Sequence, residues 1–83
     1  MKHIIKVTLN DGTVAYSRNK KHFDYFTKNI NDACVYSKAM IPDFRIQELE
    51  RYIKVNDFCW FSIIGVKKYN YSSIIKIEKI EVK

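Results

Sequence analysis

Asp11-Gly12, set between two runs of alternating apolar and polar residues, constrains this chain more than any other feature. Over residues 3–9, Ile5, Val7 and Leu9 alternate with Lys6 and Thr8, the period-two pattern of a strand with one buried face. A return strand is expected over residues 14–18. Between them, Asn10-Asp11-Gly12-Thr13 reads as a tight primed turn, because such turns need positive φ, which Gly adopts freely and Asp or Asn moderately well.

Downstream, Arg18-Asn19-Lys20-Lys21-His22 is a polar, basic connection, and residues 23–30 mix aromatics with Asp24, Thr27 and Asn29 without a clean period. That segment reads as an irregular loop with room for one helical turn. Residues 33–37 read as a short strand with Val35 facing opposite to Cys34 and Tyr36. Pro42 fits the first turn of a helix, where its missing N–H costs nothing. Ile46, Leu49 and Ile53 follow at helical spacing and extend the helix over residues 42–54, with Arg51 and Lys54 opposing the negative end of its dipole.

Residues 58–66 are apolar on both faces, which implies a central strand or one covered on both sides, with Gly65 marking a bulge or bend. Residues 67–73 form a connection and residues 74–82 the last strand. A change of parity from Ile75 and Ile77 to Ile80 and Val82 predicts a bulge near Glu78-Lys79. The expected fold is α+β, a small antiparallel sheet of about four to five strands in the order ββ(β)αββ with one helix packed on one face. At 83 residues the chain has the length of a single domain, residues 1–83.

Composition narrows the function classes. Apolar residues at 47% exceed what a disordered tail carries and suffice for a core. No run approaches the roughly 18 apolar residues that span a bilayer, and the N-terminus lacks the apolar segment of a secretory signal. The expectation is a cytoplasmic protein without a membrane partner, in which Cys34 and Cys59 are reduced core thiols. Ile, Lys, Asn and Tyr supply 36 residues against 9 for Gly, Ala, Pro and Arg, the signature of an AT-rich gene.

No catalytic motif stands out. His3, His22, Cys34 and Cys59 lack the spacing of a zinc site, no local motif activates a Ser or Cys, and two glycines cannot make a phosphate-cradling loop. Asp24 and Asp32 flank the irregular loop, and Glu48 and Glu50 fall on different helix faces. The expectation is therefore no enzyme, no metal and no cofactor. A net charge of +6 favours polyanions or acidic protein surfaces.

The most informative constellation interleaves cations with aromatics: Arg18, Lys20, Lys21 and His22 beside Phe23 and Tyr25, and Lys67-Lys68 beside Tyr69 and Tyr71. Lysines would neutralise phosphates while rings stack on bases. The same groups would meet an acidic protein groove, with Phe23, Tyr25 and Tyr69 as anchors. The plainer reading is solubilising lysines scattered over loops, with Phe23 in the core.

Asp11-Gly12-Thr13, a strand containing Tyr16, and then Phe26-Thr27-x-x-Ile30-x-Asp32-Ala33-x-Val35-Tyr36 resemble a pattern in small accessory proteins of Gram-positive phages and mobile elements. Those read D-G-T, then Y-T-x-D-I-x-D-A-x-V-F, then a helix; Asn29 stands here where an Asp is usual. The resemblance covers residues 5–37. It implies a non-catalytic binding module in a host cytoplasm, an anti-CRISPR-like or other anti-defence inhibitor that contacts a host protein; the basic charge adds that the partner has an acidic or nucleic-acid-binding surface, and a strand exposed at either sheet edge leaves monomer or homodimer open. Single-stranded nucleic acid or a nucleotide is the alternative ligand of the same surface.

Overall fold

The computed structural model describes residues 2–18, 23, 25–38, 40–55 and 60–82, and these form an α+β fold of one helix and one six-stranded, mixed, curled sheet. Strand β1 spans Lys2–Leu9 and β2 spans Val14–Ser17; they are antiparallel neighbours, with Lys6 opposite Tyr16 and Thr8 opposite Val14. Their connection is not a primed turn. Gly12 N donates to Leu9 O at 2.9 Å, and within the loop only Gly12 has positive φ, +89°. Asn10 and Asp11 are thus the centre of an ordinary turn and Gly12 takes the left-handed position after it, as in a three-residue hairpin loop with a bulge. Asp11 contributes its side chain instead, accepting the Thr13 N–H on Oδ1 at 2.9 Å.

Strand β3 is Tyr25–Thr27, inside the segment expected to be an irregular loop, and it pairs with β2. Residues 33–37 are not a strand; they make an isolated bridge of Tyr36 to His3, although Cys34 and Tyr36 are buried and Val35 is exposed as their alternation implied. Helix α1, Met40–Val55, follows and returns the chain to β4, Trp60–Ile63, which lies parallel to β3. Parallel neighbours need a crossover of about a dozen residues or more, which the helix supplies, so the sheet is mixed rather than antiparallel. Strand β5, Lys68–Asn70, occupies part of the expected 67–73 connection. The turn before it places Gly65 at φ +79°, the left-handed position of a type II turn closed by Val66 N donating to Ile63 O at 3.0 Å.

Strand β6, Ile74–Val82, pairs with β1 and completes the order β5-β4-β3-β2-β1-β6. Strand β4 is therefore second from an edge and not central; Phe61 and Ile63 are buried while Trp60 is exposed. The bulge of β6 sits at Ile75, since Thr8 faces Lys76 and Leu9 faces Ile74, and the register from Lys76 to Val82 is unbroken. The change of parity has another cause. Ile77 lies opposite Val7 on the face beneath the helix, whereas Ile80 lies opposite buried Ile4 on the outer face. There Ile4 shares a hollow with Ile30, Val35 and Val82, so β1 is covered on both faces.

Strands β5 and β6 are the two edges of the sheet, yet the 3-10 turn Tyr71–Ser73 alone separates them in the chain. Six flat strands would put those edges about 24 Å apart at about 4.8 Å per interval. Three residues of 3-10 helix rise only about 6 Å. The sheet must curl, and its concave side fills with rings: Phe61 lies 4.9 Å from Phe26, 5.1 Å from Tyr71 and 6.0 Å from Tyr69 between centroids. Helix α1 packs Pro42, Arg45 and Leu49, with Ile46 and Ile53 partly buried, against β1, β6 and the 71–73 turn. No helix among the described residues is long and apolar enough to cross a membrane.

Phe61 is 1% exposed and touches three other rings. Phe61→Ala should cost about 3–5 kcal/mol, a large share of a small domain's stability, read as a drop in the urea midpoint with little change in slope.

Candidate functional site

Side chains opposite one another across a ladder share a face. Arg18 N donates to Tyr25 O at 3.2 Å, Tyr25 lies opposite Ser62, and Ser62 lies opposite Lys68. Arg18, Tyr25, Ser62 and Lys68 therefore form one row across the convex face of the sheet, away from the helix. Two residues along each strand, Tyr16 and Trp60 join the same face. Tyr25 is 48% and Trp60 61% exposed, so much of each side chain meets solvent while its backbone is held in the ladder. Among the described residues of β2 to β5 no carboxylate faces this surface. Glu78 on β6 is held by Lys6 and Lys76, each at 3.8 Å.

The basic and aromatic residues singled out by the sequence divide between two places. Arg18, Tyr25 and Lys68 share the outer face; Lys20, Lys21 and His22 lie outside the described residues, as do Asp24 and Cys59. Tyr69 is not an exposed anchor. It is 9% exposed on the concave side, stacked near Phe61, and its hydroxyl donates to Asp11 Oδ2 at 3.2 Å. The Lys67 ammonium sits 5.0 Å from the Tyr69 ring centroid, so it covers that ring instead of joining the Arg18 row. Phe23 is core, 3% exposed, with the Arg45 guanidinium 4.4 Å from its ring centroid.

Trp60 and Tyr16 were absent from the sequence-based set. The alternation Trp60-Phe61-Ser62-Ile63 carried the signal, because it places Trp60 and Ser62 together once Phe61 and Ile63 are assigned inward. Among the described residues no three His, Cys, Asp or Glu side chains converge to hold a metal ion.

A second polar group is internal. His3, Cys34, Tyr36 and Arg45 of α1 are all buried, with His3 bridged to Tyr36 through the backbone, Cys34 a free thiol and Arg45 paired to Glu48 at 2.8 Å. Burial pushes the Tyr36 hydroxyl above the usual tyrosine range, and Cys34 adds to the shift while Arg45 partly offsets it. This group is enclosed and does not reach the outer face.

Asp11 links the first hairpin to the opposite edge of the sheet. The Thr13 backbone N–H, then the Thr13 hydroxyl, the Tyr69 hydroxyl and the Lys67 charge hold its carboxyl below the usual aspartate range. A carboxyl depressed in the folded state contributes stability above the ordinary aspartate pKa and loses it as pH falls through the folded value. Urea midpoints measured downward from about pH 5 should therefore decline. Asp11→Asn should flatten part of that decline, because Asn cannot gain a proton there. Comparison of the chain with known protein families, with curated proteins and with solved structures finds no match.

Proposed function

We propose that the chain is a non-catalytic binding module that takes single-stranded nucleic acid on the outer face of β2 to β5. The observation that carries this reading is the exposure of Tyr25 and Trp60 on one face, bracketed by Arg18 and Lys68, with no carboxylate facing them among the described residues. Unstacked bases lie on such rings at about 1–3 kcal/mol each, whatever their identity, while the cations neutralise the backbone. Scattered solubilising lysines would not bracket two exposed rings on rigid strands. Ser62 offers a polar contact of low sequence specificity in the same row, while the Asn70 oxygen is taken by Ser72.

Labelled single-stranded DNA and RNA oligonucleotides, titrated by fluorescence anisotropy at about 50 mM salt, test this directly. Binding should weaken about 10- to 100-fold on Trp60→Ala or Tyr25→Ala. The joint change Arg18→Gln and Lys68→Gln should reduce the log–log salt slope by about 1.4. Absence of binding at that salt sinks the reading.

One observation favours a second reading, docking on a host protein in the manner of the phage accessory proteins that residues 5–37 resemble. On α1, Met40, Phe44 and Val55 are 67%, 56% and 64% exposed, and large apolar side chains of this kind serve protein contact and not phosphate contact. The partner would be a host protein with an acidic or nucleic-acid-binding surface, such as a defence nuclease, and the association with inhibitors is by analogy. On this reading, capture from a nuclease-treated Gram-positive lysate should recover a stoichiometric partner that Phe44→Ser loses. Oligonucleotide binding should be unaffected by that change.

A further inference from the structure

We infer that β6 is a self-association edge through which two copies of this chain pair antiparallel about Ile77. Strand β6 is the longest strand and lies at one end of the sheet order, with β1 its one ladder neighbour among the described residues. Its outward row of backbone N–H and C=O groups is a template for another strand. The opposite edge, β5, has three residues and offers little to pair with.

Exposed edges are ordinarily guarded by proline or by lysines that a second strand would have to bury. Strand β6 has no proline, its bulge at Ile75 lies near its start and leaves the register from Lys76 to Val82 unbroken, Lys79 is held by Asp43 of α1 at 2.9 Å, and Lys76, 65% exposed, lies beside Glu78 at 3.8 Å, where it can reach the Glu78 of a second copy instead.

The charges of β6 are complementary to themselves. It reads Lys76-Ile77-Glu78, then Lys79-Ile80-Glu81. In an antiparallel pair with its two-fold axis at Ile77, Lys76 of each copy faces Glu78 of the other on the outer side, giving two opposite-charge pairs. Centring the axis on Glu78 or Lys79 would set like charges together, and centring it on Ile80 would pair Glu81 with Lys79, whose charge Asp43 already holds at 2.9 Å.

On the helix side, the same axis brings together two copies of an open groove of about 370 Å³ between α1 and β6. Ile53, Ile74, Ile75 and Ile77 line it, and Ile75, the bulged residue, is 66% exposed in the single chain. A second copy supplies the apolar surface that this groove lacks, from the same residues.

Sedimentation velocity on the full chain, over a concentration series, tests the inference. The unmodified protein should sediment as a reversible dimer. Lys76→Glu sets one glutamate opposite each Glu78, and Glu78→Lys sets a lysine opposite each Lys76, so each variant alone should associate at least about tenfold more weakly. An equimolar mixture of the two should regain the dimer, because each hybrid pair again matches opposite charges. A monomeric unmodified protein at the highest concentration overturns the inference, as does undiminished dimerisation of the single variants or failure of their mixture. Ile75→Asp, at an exposed position outside the core, should also yield a folded monomer by circular dichroism; a folded dimer there overturns it equally.

Discussion

The link Tyr71–Ser73 between the two edges of the sheet is the constraint on which the rest of this structure depends. Once three residues must carry the chain from β5 to β6, the sheet cannot be flat, and its concave side becomes an enclosed space with room for large rings at the β4–β5 end. Phe26, Phe61, Tyr69 and Tyr71 occupy that end, beside the aliphatic side chains of β1 and α1. The two tyrosines add hydrogen bonds at its rim, Tyr71 to Phe23 O at 2.8 Å and Tyr69 to Asp11 at 3.2 Å. Asn10 N donating to Ser73 O at 2.8 Å ties the first hairpin to the same link. An aromatic ring with a polar tip suits a seam of this kind, where the body is buried and the hydroxyl must find a partner.

That constraint also explains what the sequence revealed and what it hid. Long elements with an internal period were legible: the β1–β2 hairpin, the helix, extended by two residues at its start and one at its end, and β6 with its bounds. Strands β3 and β5 have three residues each, too few to express a period of two, and their pairing is dictated by the curl instead of by local pattern. Residues 33–37 have the alternation of a strand, but the chain there crosses the end of the β1–β2 pair, with one bridge at Tyr36. Ile80 and Val82 simulated a bulge because strand periodicity presumes one buried face, and β1 with β6 is covered on two.

The candidate site was half legible for a related reason. Proximity in sequence grouped Lys67, Lys68 and Tyr69, yet alternation along a strand separates neighbours to opposite faces, and Tyr69 goes to the core while Lys68 goes to the outer surface. Conversely, Arg18, Tyr25, Ser62 and Lys68 are spread over 50 positions of sequence and meet only through the parallel pairing of β3 with β4. That pairing needs the helix as its crossover. The helix thus serves the outer face without touching it, by setting the register that aligns Tyr25 with Ser62.

The edge and the face are coupled by geometry. A two-fold axis through paired β6 strands runs perpendicular to the local sheet, so the outer faces of both copies stay on the same side. Because the sheet curls until β5 approaches β6, the two Arg18–Tyr25–Lys68 rows would turn away from the axis onto opposite flanks of one continuous convex surface, separated by the four central strands, and a flexible strand that reaches both would wrap that surface. The second contact would be intramolecular, with an effective concentration set by the span between the rows, and avidity could exceed the affinity of one face by orders of magnitude without any new contact. A face with only two exposed rings and a few cations is weak alone. On the proposed pairing through β6, two such faces would act on one polymer together.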